Sequence, residues 1–189
     1  MERDHDIGVG MRLTASFVRY LCAMAETLTV DPNASRAARY AQLNQQWRAL
    51  FGDEPNRMAN LANVTAALHS TFGWHWVGFY VVDVQRDQLV LGPFQGPLAC
   101  TRLFHGKGVC AAAWDEEVVQ IVPDVHAFPG HVACSALTQS ELVLPVFSEG
   151  CVVAVLDIDS VVPGDFSEAD VLGLESLMHL LSERWARWE

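Results

Sequence analysis

Three runs rich in Gly, Pro and His, GPFQGPLAC, HGKGVC and VPDVHAFPGHVAC, each end on a thiol, at Cys100, Cys110 and Cys134. Their composition is that of loops held for backbone shape, and thiols on such loops suggest nucleophilic or redox chemistry. A cysteine attacks as its thiolate, so a reactive one needs partial exposure and neighbours that lower its pKa, such as an imidazolium or converging backbone N–H groups. Cys134 meets that pattern best: His131 stands three residues before it, Pro129-Gly130 shape the chain, and the N–H groups of Val132, Ala133 and Cys134 could converge on an oxyanion. A merely buried loop residue is the competing reading. Neither Cys100 nor Cys110 has CxxC spacing. With one of His105, His126 or His131 the three thiols make an acceptable zinc set by type, but they lack the paired close spacing of a structural zinc site. Isolated histidines in such loops more often bond backbone, which is the expectation for His105 and His126.

Carboxylates add to the pattern. Asp157 and Asp159 lie two apart in the apolar run CVVAVLDIDSVV, so in an extended strand both face one side. Two charges on one face of so apolar a strand are costly unless protons or a cation neutralise them. Glu141 opens the preceding apolar run and joins them if the hairpin register allows. The bland alternative puts both aspartates at a strand end, bonded to turn amides. In WVGFY, Trp76, Gly78 and Tyr80 share a strand face, with Gly78 leaving a gap between two flat side chains that suits a small ligand; core packing explains the aromatics equally well.

The elements that must carry these residues follow from periodicity. Residues 11–25 read as an amphipathic helix, with Leu13, Phe17, Tyr20, Leu21 and Met24 on one face and Cys22 a buried small hydrophobe. Ser35 caps a second helix over 36–51, ended by Gly52, and a third spans 57–72 with Met58, Leu61, Val64 and Leu68 as its apolar stripe. From Trp74 the period changes to that of strands. HWVGFYVVDV and QLVLGPF form a hairpin; EEVVQIVPDV, SELVLPVFSEG and CVVAVLDIDSVV follow, the last two joined by a turn at Ser148-Glu149-Gly150. The chain closes on an amphipathic helix opened by Ser167 three residues before Asp170, a capping-box spacing. Strands in one run with helices at both ends make the fold α+β, an antiparallel sheet covered by helices.

Composition limits the function classes. A chain of 189 residues, just over half hydrophobic, suits one structural domain, read as N-terminal helices over 1–56 packing on a domain over 57–189. The formal charge of -11 disfavours nucleic acid and anionic membrane, and no apolar stretch reaches the length of a membrane span. Arg19 and Tyr20 interrupt the apolar centre of residues 11–25, so no export signal is read there; an odd number of cysteines then points to a reducing cytoplasm.

In order and spacing, WVGFY, LGPFQG, a Cys four residues after that Gly, GKGVC, VPDVHAFPGHVAC, SE and VLDIDS resemble the free methionine-(R)-sulfoxide reductases, single GAF-domain enzymes. The resemblance covers about half the chain and implies an antiparallel sheet of about six strands with helices packed on it. It implies Cys134 as nucleophile, Cys100 as resolving thiol and Cys110 as an auxiliary thiol. Trp76 and Tyr80 would hold the substrate methyl group, and Glu141, Asp157 and Asp159 would form an acidic cluster meeting the ammonium group of a free amino acid. The implied route is attack on the sulfoxide sulfur with Asp159 or Glu141 protonating the oxygen, then a sulfenic acid, then a disulfide recycled by a thioredoxin-like dithiol, with no metal or cofactor. Ser135 stands where the family usually has Asp, Ala111 where it has Gly, and Cys151 matches no family position. The N-terminal helices are left to packing or homodimer contacts. Two rivals remain open: a non-catalytic GAF module that binds a small ligand or senses oxidants through its cysteines, and a zinc-binding interaction domain.

Overall fold

The computed structural model describes residues 28–132 and 134–189. The helix read over 11–25, with Cys22, and the N–H of Ala133 lie outside these residues. Among the described residues, five α-helices surround one six-stranded antiparallel sheet: α1 (Arg36–Asn44), α2 (Trp47–Phe51), α3 (Arg57–Phe72), β1 (Trp76–Asp83), β2 (Gln88–Gln95), β3 (Arg102–Leu103), α4 (Val109–Glu116), β4 (Gln120–Val122), β5 (Ser140–Ser148), β6 (Cys151–Ser160) and α5 (Glu168–Trp185). The strand order is β3-β2-β1-β6-β5-β4.

Caps set the helix boundaries. Ser35 accepts from the Ala38 N–H, Asn56 from the Ala59 N–H, and Gly73 ends α3 in the left-handed conformation. Ser167 and Asp170 form the capping box of α5. The helix expected over 36–51 is broken at Gln45-Gln46, where the Gln46 side chain bonds the backbone of Thr29 and Gln42 and tightens the chain. Met58, expected in the apolar stripe of α3, is half exposed; Leu61, Val64 and Leu68 are buried, joined by Ala67.

Alternation along the strands splits the interior into two cores. Val77 and Phe79 of β1, Leu142, Leu144 and Val146 of β5, and Ala154, Leu156 and Ile158 of β6 pack beneath α1, α2, α3 and α5. Trp76, Tyr80, Val143 and Val155 point to the opposite face, where α4 and the cysteine-bearing loops cover them. The β5–β6 hairpin closes through Glu149 and Gly150, both at positive φ, the backbone twist that two-residue hairpin loops favour. A bulge between Val146 and Phe147 then shifts the register by one residue, and it is the shifted register that sets Glu141 opposite Asp159.

Helix α4 was not read from the sequence, and EEVVQIVPDV yields only the three-residue strand β4. Its first Glu, Glu116, ends α4, the next takes φ 58, and Val118 and Val119 are exposed. No helix among the described residues is long and apolar enough to cross a membrane.

Candidate active site

Register gathers the acids. Glu141 of β5 is the Cα partner of Asp159 on β6, Val143 that of Asp157, and on the other side β1 sets Trp76 opposite Asp159 and Gly78 opposite Asp157. Cross-strand partners share a face, so all three carboxyls project to the α4 side of the sheet. Glu141 and Asp157 are each 6% exposed, and Asp159 is half-buried. Burial first, then repulsion from Asp157, holds the carboxyls of Glu141 and Asp159 well above the usual range, although the Thr138 hydroxyl draws Asp159 back down. Burial pushes Asp157 up to about 6, against hydrogen bonds from Cys110, Glu141 and the Ile158 N–H that stabilise its anion. Burial thus favours the neutral form at Glu141 and Asp159 more strongly than at Asp157. Asp157 Oδ1 is buried and has no hydrogen-bond partner among the described residues.

The thiols differ from the expectation in two respects. Cys110 is not a loop residue: Gly108, at φ 82, starts α4, and Cys110 sits in its first turn, buried, with Sγ 4.0 Å from Glu141 Oε1 and hydrogen-bonded to Asp157. Burial, then the charges of Asp157 and Glu141, pushes its thiol far up. Cys134 is half-buried, and instead of being lowered its pKa is pushed up to about 12, by burial first and then by a hydrogen bond with the Cys100 thiol, while the Cys100 N–H works the other way. His131 supplies no imidazolium. Burial and the neighbouring His126 lower its pKa, and both its ring nitrogens lack a partner among the described residues.

Two of the three aromatics of β1 hold the loop that carries Cys100. Tyr80 Oη donates to the Cys100 carbonyl at 3.0 Å and Trp76 Nε1 to the Pro97 carbonyl at 3.2 Å, pinning the loop after β2 over the sheet. Gly78 does not leave an empty gap: the Trp76 indole fills it, so close that a Cβ there would lie 2.2 Å from Trp76 Cη2, and stacks at 5.9 Å on Tyr80 and 5.4 Å on Phe94.

One cavity of about 30 Å³ is lined by Tyr80, Cys110, Cys134, Glu141, Asp157 and Asp159, together with Val132, His131 and Lys107. Trp76 stands one ring behind Tyr80. The zinc set of thiols and loop histidines is not assembled: His105 bonds Asp115 and Asp87 and stacks on Trp114, a correction to its expected backbone bonding, and His126 meets His131 edge-on at 6.5 Å. Thr138, which bonds Asp159, and Lys107 were not singled out from the sequence: Thr138 lies in a short polar stretch with no periodic or motif signal, and in GKGVC only the thiol drew a role. Chemically, one site combines a thiol pair in contact, two neutral acids ready to donate protons, and one anion whose free oxygen awaits a positive partner.

The family model described as GAF domain matches residues 60–183. GAF domain-containing protein A of Dictyostelium discoideum is 49% identical over 158 residues, covering 84% of this chain and 99% of that protein. The free methionine-R-sulfoxide reductase of Escherichia coli is 44% identical over 145 residues, covering 76% and 87%. The crystal structure of the free methionine-R-sulfoxide reductase from Neisseria meningitidis in complex with its substrate superposes with a TM-score of 0.83 at 46% identity, covering 87% of this chain and 97% of that one.

Proposed function

The chain belongs to the GAF-domain family, among its free methionine-R-sulfoxide reductases, and from that premise we propose how it reduces free L-methionine-(R)-sulfoxide. The observation that carries the reading is the shared cavity of Cys134, Glu141, Asp157 and Asp159 beside the contact between Cys134 and Cys100. The ammonium group of a free amino acid gives Asp157 Oδ1 the positive partner it lacks, and Tyr80 presents an apolar ring edge to the methyl end. Trp76 supports Tyr80 from behind. Val132 lines the cavity from the loop that closes over the substrate.

Cys134 attacks the sulfoxide sulfur as Glu141 or Asp159 donates a proton to its oxygen. The bond between Cys134 Sγ and the sulfoxide sulfur forms, the protonated oxygen leaves that sulfur with the S–O electron pair and bonds Cys134 Sγ, and the S–S bond breaks, so that methionine leaves with its electron pair and Cys134 is left as a sulfenic acid. The Cys100 thiol condenses with it, releasing water and forming a disulfide; a dithiol protein of the thioredoxin kind then returns both to thiols. Cys110 holds Asp157 by its hydrogen bond and serves as an auxiliary thiol. An amino acid is larger than the cavity, which has room for about two waters, so the loops bearing Lys107 and Val132 part on entry. We assign residues 57–189 to a GAF domain on which the N-terminal helices α1 and α2 pack, working in the cytoplasm; residues 1–27 of the N-terminal segment lie outside the described residues.

The test is consumption of each free methionine sulfoxide epimer, with protein-bound sulfoxide as control, by wild type and by Cys134→Ser. Only the free R epimer should be reduced, and Cys134→Ser should be inactive. Turnover by the serine variant removes Cys134 from the mechanism, and equal consumption of both epimers removes the substrate assignment.

A further inference from the structure

The reaction needs Cys134 and Cys100, yet a third thiol, Cys110, is buried against the acids from a helix. Its Sγ lies 4.0 Å from Glu141 Oε1, and one ligand atom from each of Cys110, Glu141 and Asp157 lies within 4.8 Å of the other two. Tetrahedral zinc, with bonds of about 2.3 Å to sulfur and about 2.1 Å to oxygen, sets neighbouring ligand atoms roughly 3.6 Å apart. Small side-chain rotations close that difference. The three residues come from the first turn of α4 and from paired strands β5 and β6, so their backbones are fixed relative to one another. Independently, Asp157 Oδ1 is buried without a hydrogen-bond partner among the described residues, on a side chain 6% exposed that lines the cavity.

We propose that Cys110, Glu141 and Asp157 form a binding site for a thiophilic divalent cation, zinc foremost, which shuts the cavity to substrate by taking the place of its ammonium group. A thiolate with two carboxylates suits zinc or cadmium and disfavours magnesium and calcium, which take oxygen alone. The cation displaces the protons of Cys110 and Glu141 to solvent and brings two positive charges to a place where three carboxyls crowd together. The fourth position is open to water or to Cys134, which lines the same cavity. Ion binding stands apart from the reductase reading; only its exclusion of substrate rests on it.

The full-length reduced protein, free of metal, is titrated with cadmium while the ultraviolet charge-transfer band of the thiolate–cadmium bond is followed, and zinc is then added to displace it. One tight equivalent is expected in wild type, displaced by zinc. In Cys110→Ser the band of that equivalent should vanish. In Asp157→Asn, which keeps the thiol, it should remain with affinity reduced roughly tenfold or more. The Cys100→Ser/Cys134→Ser double variant should keep it unchanged. Absence of a tight equivalent in wild type overturns the proposal while leaving the epimer assay untouched. A band that survives in Cys110→Ser, or disappears in the double variant, overturns it by placing the metal on the outer thiols. Saturating methionine should weaken cadmium binding at least tenfold; unchanged affinity refutes the exclusion of substrate.

Discussion

Asp157→Asn should make the protein more stable and the enzyme worse, and the two effects should separate by pH. The carboxyl of Asp157 is raised from its ordinary 3.8 to about 6 by burial. Such a rise corresponds to about 3 kcal/mol of differential stability. The folded protein keeps this proton to higher pH than the unfolded chain does. Between about pH 4 and pH 6 the unfolded chain therefore binds fewer protons, and stability falls as pH rises; above pH 6 the full cost of the buried charge is present. Asparagine has the same shape, never ionises, and still offers an oxygen to Cys110. In chelator-containing buffer the variant should match wild type near pH 4 and exceed it above pH 6 by up to about 3 kcal/mol, or roughly 6–12 °C in Tm for a chain of this size. Removing the charge also lets Glu141 and Asp159 ionise more readily, because Asp157 is one of the causes holding them up. On activity the sign reverses: KM for free sulfoxide should rise, and methionine should raise the Tm of wild type and that of the variant much less. Thermal melts from pH 4 to pH 8, with and without methionine, read both. A stability difference between variant and wild type that does not change with pH would refute the reasoning.

Two further perturbations probe the aromatic support of the site. Gly78→Ala would place a methyl group 2.2 Å from Trp76 Cη2 and 2.6 Å from Phe94 Cβ, so the indole must leave its seat. The cost should be about 1–3 kcal/mol by denaturant unfolding, with KM raised as Tyr80 loses its backing; stability within 0.5 kcal/mol of wild type would show that the stack yields freely. Tyr80→Phe removes the hydrogen bond to the Cys100 carbonyl and should cost about 0.5–1.5 kcal/mol. Methionine release should be little changed in the first turnover while disulfide formation slows, so a sulfenic-acid trap should label Cys134 more heavily than in wild type; equal labelling would mean that this bond does not position Cys100.

Strand period and caps made most of this fold legible. Alternation alone placed Asp157 and Asp159 on one face, whereas Glu141 meets Asp159 only through the Glu149-Gly150 turn together with a one-residue bulge at Val146-Phe147 that carries no sequence signal. What escaped depended on burial in three dimensions. VCAAAWDE carries no amphipathic stripe because α4 is covered on one side by the sheet and shielded by loops on the other, so Cys110 read as the end of a loop. Gly78 read as a gap because sequence places Cβ atoms on faces but says nothing of where the Trp76 ring folds back. The thiol pKa was misjudged for the same reason: His131 is near Cys134 in sequence, but its own burial keeps it neutral, and burial outweighs every neighbour of Cys134.

That last error bears on how the site chooses its substrate. The low dielectric that keeps Glu141 and Asp159 protonated, ready to give a proton to a departing oxygen, also keeps Cys134 a thiol, so acid and nucleophile cannot both be prepared by burial alone. Something positive must enter to favour the thiolate without ionising both acids. An ammonium group against Asp157 does this by distance: it neutralises the nearest anion, which is itself one of the charges raising the Cys134 pKa. A methionine sulfoxide inside a polypeptide carries an amide in place of that ammonium and leaves Asp157 uncompensated. Selection for the free amino acid then follows from activation of the thiol as well as from fit. Acetylation of the substrate amine should lower kcat along with binding, whereas a purely steric preference would raise KM alone.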